Sequence, residues 1–91
     1  MLLYLVTYDI SCNKRRLKVA NLLEGYGRRV QYSVFECVLP IAKYQELRDR
    51  LRRQVESEDS IRFYPLSAHT LGQVEVWGGS PVLQPPGSTI V

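Results

Sequence analysis

Leu2 to Ile10 restricts this chain more than any other stretch. It is apolar, rich in Val, Tyr and Thr, and runs directly into Ser11-Cys12-Asn13, a turn with helix-capping residues. The pattern predicts a buried strand that feeds a helix start. Its one charged residue is Asp9, at the carboxyl end of the strand.

The rest of the chain alternates between helical and strand periods. Val19, Leu22, Leu23 and Tyr26 fall at i, i+3, i+4 and i+7, with Gly25 and Gly27 placed to end a helix spanning about Asn13 to Tyr26. Arg28 to Leu39 holds Val30, Tyr32, Val34, Phe35, Val38 and Leu39 without a helical period and stops at Pro40. It reads equally as one bent strand or as two short ones turning near Gln31 to Ser33. Ile41, Tyr44, Leu47, Leu51 and Val55 then repeat at three and four. Lys43, Arg48, Arg50, Arg52 and Arg53 lie between them, which makes a second helix with a basic outer face.

After Glu58-Asp59-Ser60, the segment Ile61 to Ser67 alternates, and Leu71 to Trp77 alternates again through Val74 and Val76, so two further strands are expected. Gly78 to Val91, with Gly78, Gly79, Pro81, Pro85, Pro86 and Gly87, reads as a tail or as an arm exchanged with a partner subunit. The order fits a single α+β domain over residues 1–77. It would be a ferredoxin-like β-α-β-β-α-β sandwich with an additional C-terminal strand or arm and two helices on one face of an antiparallel sheet.

Ninety-one residues make one small domain, for which pairing with a second copy is a natural supplement. A composition of 45% hydrophobic and 23% charged residues argues against disorder. The apolar opening is too short for a membrane span and lacks the features of a signal peptide, so a cytoplasmic protein with no membrane partner is expected. Cys12 and Cys37 have no metal-ligand spacing and read as free thiols. Charge is uneven. Residues 1–53 carry eleven Lys/Arg against five Asp/Glu, whereas the remainder carries Arg62 against Glu56, Glu58, Asp59 and Glu75. Such a concentration of cations is the footprint of a nucleic-acid partner, and also of a solvated helix face.

Few residues offer chemistry. His69, the only histidine, has no nucleophile or acid at a meaningful spacing. Gly25-Tyr26-Gly27 lacks the flanking pattern of a phosphate-binding loop. Asp9 differs, because its carboxylate would sit beside a helix start carrying Lys14, Arg15, Arg16 and Lys18, where an acid holds a hard divalent cation and the bases hold phosphates. The alternative is an Asp9 that caps the helix or pairs with one of those bases. One carboxylate is a poor metal site, and a two-fold axis would supply a second.

Leu3-Tyr4-Leu5-Val6-Thr7-Tyr8-Asp9-Ile10, the helix start with Arg15 and Arg16, and Arg29-Val30-Gln31-Tyr32-Ser33-Val34-Phe35-Glu36 together resemble the small CRISPR-associated endoribonuclease family, Cas protein two. The resemblance runs from about Leu2 to Trp77. It implies a ferredoxin-like homodimer in which the two Asp9 residues meet to hold Mg²⁺ (or Mn²⁺), acting in spacer acquisition beside the CRISPR integrase subunit. It implies activity-associated roles for Asp9, Tyr8, Arg16, Arg29 and Phe35, and a polar contact from Ser33. The nucleic-acid-binding set expected is Lys14, Arg15, Arg16, Lys18, Arg28, Arg29 and Ser33, with Lys18 standing where some relatives carry an arginine of bidentate geometry. Two functions follow: a metal-dependent endonuclease acting on RNA or duplex DNA, and a non-catalytic nucleic-acid scaffold bridging integrase subunits.

Overall fold

The structure is a computed structural model that describes residues 1–86, and Gly87 to Val91 lie outside the described residues. The elements run β1 (Leu2–Asp9), α1 (Asn13–Glu24), β2 (Arg28–Gln31), β3 (Val34–Leu39), α2 (Ile41–Arg52), β4 (Ser60–Leu66) and the single turn α3 (Ala68–Leu71). The strands form one antiparallel sheet in the order β2-β3-β1-β4. This is the ferredoxin-like topology, with β1 buried at the centre as its apolar sequence requires.

The two-residue period of β1 divides the molecule. Tyr4, Val6 and Tyr8, continued by Ile10, join the core with Val19, Ala20 and Leu23 of α1 and Leu47 and Leu51 of α2. Phe35 and Cys37 of β3 lie opposite Val6 and Tyr4 and complete that layer, as do Ile61 and Phe63 of β4. Tyr44 fixes α2 to the sheet by stacking on Tyr4, with ring centroids 3.7 Å apart, while Phe63 meets its edge at 5.9 Å. Leu3, Leu5, Thr7 and Asp9 point to the other face, and neither long helix covers it.

Several boundaries differ from those the sequence predicts. Arg28 to Leu39, open between one bent strand and two short ones from sequence, is two strands, with Tyr32 and Ser33 at the turn and an irregularity in the ladder between Arg29 and Gln31. Helix α1 stops at Glu24, where the Gly25 N–H donates to the Leu22 carbonyl and the Tyr26 and Gly27 N–H groups donate to that of Leu23. Gly27 is needed for a different reason. A Cβ there would lie 2.3 Å from the Glu36 carbonyl oxygen and 2.5 Å from Cys37 Sγ, so only glycine lets this loop approach β3. The helix start has no side-chain cap. Cys12 occupies the N-cap position, and Asn13 Oδ1 accepts from Arg16 instead.

The expected strand over Leu71 to Trp77 does not form in the single chain. Ser67 Oγ accepts the Thr70 N–H at 3.1 Å and nucleates α3, which Gly72 ends. Val74, Val76 and Trp77 follow exposed and pair with no strand among the described residues. Alternation makes a strand only where a ladder partner exists. Gly78 and Gly79, with φ of 81° and 78°, then turn the tail back. The tail returns to its own sheet. The Leu83 N–H donates to Glu36 Oε1 at 3.0 Å, Arg28 donates to the Pro81 carbonyl, and Pro85 and Pro86 share a pocket with Leu3, Leu66 and Leu71.

Both cysteines are free, Cys37 buried and Cys12 partly exposed. Burial pushes the Cys37 thiol up to about 11, whereas the Arg15 backbone N–H holds that of Cys12 below its usual value.

Candidate metal and nucleic-acid site

Asp9 is the last residue of β1, opposite Ser60 of β4 and exposed. Alternation puts its side chain on the face that the long helices leave open, in line with Thr7 and Leu5. It caps no helix and makes no ion pair among the described residues. The bases expected beside it are engaged elsewhere. Arg16 folds back over the β1–α1 loop, donating to the carbonyls of Ile10 at 2.9 Å and Ser11 at 3.4 Å, so it braces the backbone that follows Asp9.

Arg15 turns away altogether. Its Nε and Nη2 donate to the two oxygens of Asp59 at 2.8 and 3.0 Å, and Nη2 also reaches Glu58 at 2.9 Å. The Arg15 guanidinium, then the Glu56 backbone N–H, hold the Asp59 carboxyl below its usual range, and Asp59 in turn raises Arg15. Lys14 and Lys18 are exposed and form no ion pair among the described residues.

Tyr8 and Phe35 leave the sheet on the opposite side from Asp9. Both are buried, with ring centroids 6.3 Å apart. The Arg29 guanidinium sits 5.3 Å from the Phe35 centroid, which makes a row of Tyr8, Phe35 and Arg29 on the helix side. Tyr8 also fastens the β2–β3 turn: its N–H donates to the Ser33 carbonyl at 3.1 Å and its hydroxyl to that of Tyr32 at 3.4 Å. The predicted set therefore separates. Asp9, Arg16 and the Ser33 backbone gather around the end of β1, Tyr8 and Phe35 support that end from the core, and Arg15 and Arg28 are occupied by Asp59 and Glu36.

One cation the sequence reading passed over stands on the Asp9 face. Arg62 is the diagonal neighbour of Asp9 across the β1–β4 ladder, where such positions lie roughly 7–8 Å apart. Its Nη1 donates to the Tyr64 hydroxyl at 3.1 Å, which raises Arg62 further above its ordinary value. The alternation of Ile61, Arg62, Phe63 and Tyr64 was the available signal, because it turns Arg62 away from the core. His69 is exposed on α3 and its ring pairs with Gln73 at 2.9 Å.

No group of three or more His, Cys, Asp or Glu side chains converges among the described residues. Mg²⁺ is commonly held through one or two carboxylates with water filling the remaining positions. One exposed, unpaired Asp9 per chain fits that donor set, as part of a site completed by further oxygens.

The family described as CRISPR associated protein Cas2 matches residues 1–74. The chain belongs to the Cas2 family. It is 61% identical, over the whole of both chains, to a Synechocystis protein called CRISPR-associated endoribonuclease Cas2 3. It is 49% identical to the Thermus thermophilus CRISPR-associated endonuclease Cas2 2, covering 88% of this chain and 86% of that one. A chain in a solved partial Cas6-RT-Cas1–Cas2 complex superimposes with a TM-score of 0.80 at 32% identity, over the full length of both. The Cas2 match ends at residue 74, close to where the predicted fifth strand is missing. Among the described residues, no helix is long and apolar enough to cross a membrane.

Proposed function

We propose that the chain is a cytoplasmic, metal-dependent endonuclease of CRISPR spacer acquisition, acting as a two-fold dimer with an integrase subunit as partner. The observation that carries this reading is Asp9: an exposed carboxylate at the end of the central strand, with no ion pair among the described residues to neutralise it. Two copies brought together near Asp9 would place two carboxylates side by side, an arrangement that repels unless a cation or a proton intervenes. Mg²⁺ or Mn²⁺ held by the two Asp9 carboxylates would supply charge to polarise a phosphodiester and to lower the pKa of a water. Arg16 keeps the backbone after Asp9 in place, Arg62 supplies positive charge on the same face, and Tyr8 and Phe35 keep the end of β1 rigid.

A scaffold reading is favoured by a specific observation. Arg15 is committed to Asp59 and Glu58, and no group of three or more His, Cys, Asp or Glu side chains converges on Asp9 among the described residues of one chain. As a scaffold, the protein holds RNA or duplex DNA by its backbone while the integrase subunit performs the chemistry. The likeness to a chain of the solved partial Cas6-RT-Cas1–Cas2 complex supports this role as well.

Mn²⁺ binding, followed by electron paramagnetic resonance, tests the shared metal site directly. Half an ion per chain, lost in Asp9→Asn, is expected. Binding that is unchanged by the substitution contradicts the assignment of Asp9.

A further inference from the structure

A second cationic surface lies on the helix layer, away from Asp9. Lys18, Asn21 and Leu22 of α1 face Arg50, Arg53 and Gln54 at the end of α2 across a furrow of about 470 Å³. Among the described residues, no carboxylate lines this part. The furrow continues past Asn21, Leu22 and Arg50 towards Gly25, Tyr26 and Lys43. There Glu46 is already satisfied, because it accepts the Tyr26 hydroxyl and lies 3.5 Å from Lys43. From Lys43 to Arg50 the helix rises about 10 Å.

Arg50 is held at the wall of this furrow. Its Nη1 donates to the Tyr26 hydroxyl at 2.9 Å and its guanidinium lies 5.6 Å from the Tyr26 ring centroid, leaving other N–H groups unused. Lys18 and Arg53 are exposed and form no ion pair among the described residues. Arg50 has Glu46 nearby through the shared Tyr26 hydroxyl, whereas Lys18 and Arg53 have no ion-pair partner among the described residues, so an anion entering between the three cations would relieve their mutual repulsion.

Resting on the nucleic-acid reading above, we infer that the α1–α2 furrow binds a phosphodiester backbone through Lys18, Arg50 and Arg53. Its length of about 10 Å corresponds to about three base-pair steps along a duplex axis at 3.4 Å each. Asn21 and Gln54 add uncharged donors suited to phosphate oxygens. An acidic protein segment is a poorer fit, because protein interfaces are anchored by buried aromatic or aliphatic pockets and the part of the furrow between Lys18 and Arg53 offers only Leu22.

The test is the salt dependence of binding of a labelled DNA duplex to the full chain. Lys18→Gln with Arg53→Gln leaves the Tyr26–Arg50 contact intact. The pair should lower the slope of log K against log salt by about two and weaken binding roughly tenfold near 0.1 M salt. Arg48→Gln with Arg52→Gln removes the same charge from the other side of α2 and should change the slope by less than half as much. Equal losses in the two pairs, or a wild-type slope in Lys18→Gln/Arg53→Gln, overturn the furrow while leaving duplex binding established. No duplex binding by the wild type overturns the nucleic-acid reading and the furrow with it. Polyglutamate bound as tightly as duplex, with the same sensitivity to Lys18 and Arg53, would overturn the phosphodiester assignment in favour of an acidic protein partner.

Discussion

Arg15 and Asp59, 44 residues apart, are joined by two parallel hydrogen bonds of 2.8 and 3.0 Å that tie the first turn of α1 to the turn preceding β4. The fork of the guanidinium matches the two carboxylate oxygens, and Asp59 is further fixed by the Glu56 N–H at 2.9 Å. Arg15 thus acts as a clamp between two elements that flank β1.

The clamp makes stability depend on pH in a defined direction. The Asp59 carboxyl titrates below its ordinary value, so its contribution is complete above the usual aspartate pKa of about 4 and disappears as pH falls through the depressed value. Asp59→Asn should melt at a lower temperature than wild type, by a gap that stays constant from about pH 7 to pH 5 and closes in acid. Melting curves across that range check it. A gap that widens in acid would contradict the assignment.

Phe35 should prove a stability residue first. It is fully buried between Tyr8 and the Arg29 guanidinium, and Phe35→Ala is expected to cost about 3–5 kcal/mol in denaturant unfolding. Phe35→Leu should recover most of that stability together with nucleic-acid binding. Tyr8→Phe keeps the ring and removes only a long hydrogen bond of 3.4 Å, so a loss below about 1 kcal/mol is expected.

Gly27→Ala would place a methyl group against the Glu36 carbonyl oxygen and Cys37 Cα, backbone atoms that cannot move aside, as well as against the buried Cys37 Sγ. Overpacking of this kind costs about 1–3 kcal/mol, read as a lower denaturant midpoint at unchanged slope. The same change at Gly25, where the nearest atom would be 3.4 Å away, should be far milder.

The fold was legible wherever periodicity settles an element by itself. Leu2 to Asp9, the stripe of Val19, Leu22 and Leu23, and that of Tyr44, Leu47 and Leu51 stand where their spacing puts them. The failure at Leu71 to Trp77 is instructive, since Val74 and Val76 alternate well but a strand needs a partner and Ser67 offers the backbone a helical cap first. Of the candidate site, the place of Asp9 at the exposed carboxyl end of β1 was legible. What each base binds was not, because Arg15 meets an acid 44 residues away and Arg28 meets both Glu36 and a tail carbonyl 53 residues on. The split between Tyr8 and Asp9 follows from the strand period alone: Tyr8 shares a face with Tyr4 and Val6, and Asp9 with Leu3, Leu5 and Thr7.

The most direct measurement is cleavage of labelled single-stranded RNA and duplex DNA by wild type and Asp9→Asn, each with Mg²⁺ and with chelator. Metal-dependent cleavage by the wild type that disappears in Asp9→Asn, with duplex binding retained, is the predicted result. Equal cleavage by both proteins would contradict the central role of Asp9, and no cleavage by either, with duplex still bound, would leave the protein a scaffold rather than a nuclease.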